Sequence, residues 1–425
     1  MTAIAGEPTA TLPARHWRDP TTWAAAVDML AVLLALSLPW STSLVGIFGV
    51  VIVLAMMPFL DVEAFLRSLR RPISALPIMF FLLALVGTLW SDATWGTRLH
   101  AVGPTAKLLV LPFLLYHFER SQRGQWVFVA FLVSCTLLMV MSWIVALEPG
   151  LTLKPIADER GIFVKNYIDQ SQEFTLCVVA LAYPIVMLLR AKRIWPALLL
   201  ATLGLSFVLN MAFVIVSRTA LVTMPIMAVV FGLLHLRLRT NLAILATAIV
   251  VAAAAWLASP QLQWTVQTFT RDYQLYKQSG IPTSIGERLE YWRKSLQFFA
   301  DAPIAGHGTG STRGLFEKAA TGPAGLAASS VIGNPHNQTL NVAVQWGIIG
   351  VAVLYAMWTS HLLLFRGKDL ANWIGLLVVV QNIFTSLFNS HIFDFHEGWM
   401  YVLGVGVAGG MVLKAQLAKL ATQSS

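Results

Sequence analysis

Twelve stretches of this chain are apolar over lengths near 20 residues, and this pattern constrains its fold more than any other. A helix needs roughly 20 apolar residues to cross about 30 Å of hydrocarbon. The stretches lie near 23–40, 43–60, 73–90, 101–118, 125–147, 173–189, 194–213, 218–236, 242–258, 339–365, 370–388 and 397–413. The chain is 57% hydrophobic and 12% charged, about half the charged fraction of a soluble protein. These runs predict an all-α polytopic membrane protein, one integral membrane domain over residues 1–425 with about 12 transmembrane helices. Residues 1–22 are polar and lack the pattern of a cleavable signal peptide. Cys135 and Cys177 both fall inside apolar runs and offer no disulfide framework.

The net charge of +9 would suggest nucleic acid in a soluble chain, but here its distribution carries the information. With a cytoplasmic N-terminus, the inward segments hold sixteen of the 29 basic residues, among them Arg67, Arg70, Arg71, Arg190, Lys192 and Arg193. Those segments carry only six acids, Glu7, Asp19, Asp61, Glu63, Glu119 and Asp369. The positive-inside rule then predicts that both termini are cytoplasmic.

The long polar segments, 148–172 and 259–337, fall on the outer side in that topology. The larger one joins spans nine and ten and is patterned for helices. Ser284 and Glu287 have capping-box spacing, and Leu289, Trp292, Leu296 and Phe299 share one helical face. Such amphipathic helices are expected along the outer membrane boundary. Pro303 to Gly314 reads as a glycine-rich turn.

Three residues stand out chemically. Arg218 is the only charged side chain between Ile194 and His235, at the outer surface where the chain turns back. An ionisable group there is functional by default, the alternative being an arginine that snorkels to headgroups. Ser217 is placed to cap the returning helix, whose N-terminus also favours an anion. Arg288, in the first turn of its helix, either pairs with Glu287 or Glu290 or joins Arg218 in gripping phosphate oxygens. His336 follows Asn334, a candidate N-cap, and Pro335, which suits a first helical position. Inside the first turn of span ten it is expected to stay neutral, as a general base requires, unless it only satisfies loop carbonyls. His391, Asp394 and His396 lack the spacing of a metal site, so no metal is expected. There is no Walker A, HExxH or GxSxG motif.

"NPHNQTLNVAVQWGIIG", together with the preceding "ERLEYWRKSLQFFADAPIAGHGTG", resembles the signature region of the O-antigen ligase and polymerase superfamily. The matching residues are Pro303, Gly306, Gly308 and Gly310 of a Pro-x-x-Gly-x-Gly-x-Gly turn, then His336, Asn337 and Leu340 of a His-Asn-x-x-Leu motif. "SRTAL" at Ser217 to Leu221 is similar to the family's arginine-bearing segment, and His307 departs from its pattern. The resemblance implies a GT-C-like glycosyltransferase of the bacterial inner membrane with a periplasmic active site. It would move O-antigen from undecaprenyl pyrophosphate to a sugar hydroxyl of lipid A–core, inverting the anomeric centre without cofactor or metal. His336 would then be the base, Arg218 and Arg288 the pyrophosphate ligands, and Asn337 and Trp292 supporting residues. Membrane lipids, and no nucleic acid, are the other partners expected.

An O-antigen polymerase and a protein O-oligosaccharyltransferase are the near alternatives. The latter usually has an extra C-terminal domain. A secondary transporter is the alternative of another class. It should show broken spans at matching positions in two halves and charges near the midplane, where Asp28 and Lys107 are the candidates.

Overall fold

The computed structural model describes residues 19–153 and 161–423, and within these the regular structure is helical. The charges of residues 1–18 that entered the topology argument (Glu7, Arg15, Arg18), and part of the 148–172 segment, lie outside the described residues. The first group of helices is α1 (Pro20–Ser37), α2 (Thr42–Met56), α3 (Val62–Leu69), α4 (Pro72–Val86), α5 (Trp95–Val102) and α6 (Val110–Phe118). Next come α7 (Gly124–Leu147), α8 (Tyr167–Arg190), α9 (Ile194–Phe213), α10 (Arg218–His235) and α11 (Leu238–Ala258). The large polar segment forms α12 (Pro260–Ser279), α13 (Ser284–Asp301) and α14 (Thr312–Lys318). The last group is α15 (Gln338–Leu364), α16 (Leu370–Thr385) and α17 (Phe395–Gln423).

Ten helical segments among the described residues are long and apolar enough to cross a membrane. The 16-residue α16 and the 21-residue α11 account for the two other apolar runs. Every apolar run therefore folds as helix, the form in which a backbone in lipid satisfies its own hydrogen bonds. Large apolar side chains also cover the outside: Leu54, Leu147, Leu199 and Leu233 are all more than 60% exposed. In a soluble protein such a surface would aggregate, whereas in lipid it is the solvated face.

α17 is the central helix, with 67% of its span buried. Its glycines allow close approach: a Cβ at Gly406 would stand 2.6 Å from Leu114 Cβ, and one at Gly410 2.6 Å from Phe118 Cβ. Small residues at such crossings let helices pack by contact where lipid supplies no hydrophobic drive. The two intramembrane charges noted in the sequence lie apart. Asp28 accepts from Ser121 Oγ at 2.6 Å and lies 2.8 Å from His117 Nε2, beside the α6–α7 loop. Lys107 instead donates to the Asp394 carbonyl, just before α17. Charges held near opposite ends of a bundle are unlike the midplane site of a transporter.

Candidate functional site

The glycine turn is a plug for a broken helix. α15 is interrupted at Gly347, whose φ of 59° and ψ of −153° are not helical. The break frees carbonyls, and the turn satisfies them: His307 N donates to Val344 O at 2.9 Å and Gly308 N to Gln345 O at 2.8 Å. Gln345 Oε1 accepts from Gly310 N at 2.9 Å, and Ile348 N donates to Pro303 O at 2.8 Å. A Cβ at Gly306, where φ is 65°, would lie 2.5 Å from the Gln345 carbonyl carbon. His307, the departure from the family pattern, donates Nε2–H to Phe298 O at 2.8 Å. It holds the turn to α13, and α13 is thereby fixed against α15.

His336 is not in the first turn of α15. Asn337 is the N-cap, its Oδ1 accepting from Leu340 N at 3.0 Å, and its Nδ2 donates to Leu387 O at 3.2 Å. Asn334 serves differently: its Oδ1 accepts from His336 N at 2.9 Å and from Ser390 Oγ at 2.7 Å. Two good capping residues stand three apart, and the later one takes the helix. His336 is left outside with a φ of 52°, in the left-handed region that histidine visits more readily than most residues. Its environment is built by cross-links between 334–338 and 386–392. Gln338 N donates to Ser386 O and Gln338 Oε1 accepts from Ile392 N, both at 2.9 Å. The same cross-linking sets His336 Nδ1 2.9 Å from Asn389 Oδ1. Nδ1 must donate there, which leaves Nε2 with the lone pair.

The arginines converge on the same end of the bundle. Arg218 is the first residue of α10, but Ser217 makes no side-chain cap bond, contrary to the sequence expectation. The guanidinium lies 3.1 Å from Asp272 of α12 and 4.8 Å from the Phe269 ring centre. Arg288 follows a helix start that also differs from expectation. Thr283 is the N-cap of α13, accepting from Gly286 N at 3.2 Å, and Ser284 Oγ instead accepts from Arg288 Nη1 at 3.3 Å. Burial pushes the Arg288 guanidinium below its ordinary pKa, with Tyr167 opposing and the nearby Arg218 charge adding to the shift. Two like charges that act on each other suit an anion between them.

One turn beyond Arg288, Tyr291 lies with its ring centre 6.2 Å from that of His336. Burial first, and then Glu287, push its hydroxyl up to about 12, so it stays protonated. Trp292 packs partly buried beside Tyr291, Phe298 and Phe316, and its Nε1 makes no hydrogen bond. The buried side of α13 is Glu290, Tyr291, Lys294, Ser295 and Phe298, while Leu296 is 57% exposed. The apolar face read from the sequence therefore turns partly outward, as a helix lying on a membrane boundary requires.

Lys165, Asp169, Glu173 and Glu397 escaped the sequence reading, and they pair with the His391, Asp394 and His396 that it weighed. Lys165 Nζ donates to the Leu38 carbonyl, to Glu173 Oε1 at 3.0 Å and to His396 Nδ1 at 2.7 Å. His396 Nε2 lies 3.4 Å from Asp169 Oδ2. Nearby, His391 Nδ1 is 3.3 Å from Asp394 Oδ2 and 3.6 Å from Glu397 Oε1. These three side chains offer ligand atoms within 4.8 Å of one another, a grouping able to hold a metal ion. Burial disfavours charge on His391, but Glu397 and Asp394 outweigh it and raise its pKa to about 10. An imidazolium then supplies the positive charge that a metal would bring. Glu173 at the edge of an apolar run was the available signal for this cluster, since a buried carboxylate needs a partner.

A helical bundle with ten segments long and apolar enough to cross a membrane among the described residues is that of an all-α polytopic membrane protein. Residues 203–355, from within α9 to within α15, match the family described as O-Antigen ligase. That stretch contains Arg218, Arg288 and His336, and its match supports a place in the O-antigen ligase and polymerase superfamily. No curated protein matches the chain.

Proposed function

We propose that the protein is an O-antigen ligase. It transfers glycan from undecaprenyl pyrophosphate to a sugar hydroxyl of lipid A–core, on the periplasmic face of the inner membrane and with both termini cytoplasmic. The observation that carries this reading is the grouping of His336, through Tyr291 of α13, with Arg288 of the same helix, whose guanidinium feels the charge of Arg218. The acceptor oxygen attacks the anomeric carbon as its proton passes to His336 Nε2. The bond from that carbon to the pyrophosphate oxygen breaks, and the electron pair leaves with the pyrophosphate. Arg218 and Arg288 stabilise the departing charge, so no general acid and no nucleotide is required. A single displacement inverts the anomeric centre. The Arg218–Asp272 pair has to open or rearrange for both guanidinium edges to reach phosphate.

The test is reconstitution of purified protein with lipid-linked O-antigen and lipid A–core, without ATP. Joined product is expected, reduced about 10²- to 10⁴-fold by His336→Gln, which hydrogen-bonds but takes no proton. Lengthened glycan still on the polyprenyl carrier, with none on lipid A–core, would make the protein a polymerase instead.

A further inference from the structure

A cavity of about 250 Å³ reaches Asn389, the hydrogen-bond partner of His336, and its polar walls are Asn166, Asp169, Asn389, Asp394, His396 and Glu397. Asn389 belongs both to this cavity and to the hydrogen bond that orients His336. Three of these walls are carboxylic acids. The one imidazole, His396, accepts from Lys165 at Nδ1 and so brings no positive charge of its own. Such a lining repels pyrophosphate, which has the arginines of α10 and α13 instead. It is equally unsuited to a polyprenyl tail, because six polar side chains would be stripped of water for nothing. Carboxylate and amide oxygens are strong acceptors, and a ring of hydroxyl donors satisfies them. The volume lies a little below the roughly 300–1,000 Å³ of small-molecule sites, which suits a single sugar ring. Phe395, also in the lining, offers an apolar ring against which the C–H face of a sugar can rest.

We propose that this cavity is the acceptor subsite, taking a neutral sugar ring through Asp169, Asn389 and their neighbours and presenting one hydroxyl to His336. The assignment rests on the ligase reading above and adds where the acceptor sits. Asp169 is held by His396 Nε2 at 3.4 Å, and His396 in turn by Lys165, so the carboxylate is oriented before any ligand arrives. Asp394 and Glu397 are anchored from behind by His391.

The experiment measures two affinities separately in nanodiscs, for lipid A–core and for lipid-linked O-antigen, using wild-type protein and Asp169→Asn. The near-isosteric change replaces one acceptor oxygen by an NH₂ donor, so lipid A–core affinity should fall about tenfold or more. Donor affinity should stay within about twofold, which also shows that the variant is folded. Unchanged lipid A–core affinity would overturn the assignment, and so would a loss confined to the donor. Should Asp169→Asn lose both ligands, Phe395→Leu decides the question by the same two affinities. A wild-type protein that binds the donor and not lipid A–core would instead sink the ligase reading, and the acceptor subsite with it.

Discussion

The 2.9 Å contact between His336 Nδ1 and Asn389 Oδ1 fixes which ring nitrogen of His336 carries the proton. The two residues come from loops 53 positions apart that are cross-linked on either side of the contact. An amide oxygen accepts only, so the imidazole donates from Nδ1 and keeps Nε2 for the substrate. A histidine's function depends on this kind of partner as much as on its own position.

Asn389→Leu keeps the volume and removes the acceptor. The ring is then free to turn and to change tautomer, and kcat should fall at least tenfold while donor KM changes little. Asn389→Asp keeps an acceptor oxygen at the same place and should retain more of the rate than the leucine variant. Wild-type kcat in Asn389→Leu would remove Asn389 from the mechanism.

Arg218 and Arg288 should not tolerate lysine. A guanidinium presents two parallel donors to phosphate oxygens, and an ammonium is a point charge. Each Arg→Lys change is expected to lower turnover by about tenfold or more, at the roughly 1.5–3 kcal/mol of a charge-assisted bond. The protein should remain folded, since Arg218 retains Asp272 as a partner for either cation. Near-normal rates in both variants would mark them as residues that meet lipid headgroups.

The twelve apolar runs were readable as helices because each satisfies its backbone within itself, so its signal is local. The helix starts were readable only to within a few residues. Thr283 and Ser284 are adjacent hydroxyl residues with equal claims to a cap, and Asn334 and Asn337 compete in the same way before α15. The pairings that define the site floor were not readable. Lys165 meets His396 across 231 residues of sequence, and Lys107 meets Asp394 across 287. No periodicity or spacing encodes a pairing between the start of one span and the start of another. The glycine motif was visible as a motif, yet its purpose required the break at Gly347 to be seen.

That purpose makes the glycines unequal. Gly306→Ala combines a φ of 65° with a methyl group 2.5 Å from the backbone of α15, where nothing can yield. Gly347→Ala meets the Ile304 carbonyl at similarly impossible range, with a φ of 59°. Each should destabilise by about 3 kcal/mol or more, read as a loss of monodisperse protein after detergent extraction. Gly314→Ala, in α14 with nothing within 4 Å, should be neutral or slightly stabilising. A stable Gly306→Ala protein would mean that the turn is not seated in the helix break.

Chelation should leave activity intact. His391 supplies the charge that balances Asp394 and Glu397, and the arginines suffice for pyrophosphate. Transfer is expected to continue in excess EDTA at an unchanged rate. Loss of activity, restored by a divalent cation, would reassign the His391, Asp394 and Glu397 grouping as a metal site.

The same histidine predicts how stability depends on pH. Its pKa is raised in the folded protein to about 10 from the ordinary 6.5, because Glu397 and Asp394 outweigh the penalty of burial. A group whose folded pKa is raised stabilises the fold fully below its unfolded pKa. That contribution is lost progressively as pH rises towards the folded value. The contribution of His391 to the unfolding temperature in detergent should therefore be full and constant below about pH 6.5 and decline between there and pH 10. His391→Gln replaces the imidazolium by a neutral donor of similar reach. It should lower the unfolding temperature at pH 6 and flatten the decline above it. A wild-type and a glutamine protein with parallel curves from pH 6 to 10 would show that His391 is neutral in the fold, and that something else balances the two carboxylates.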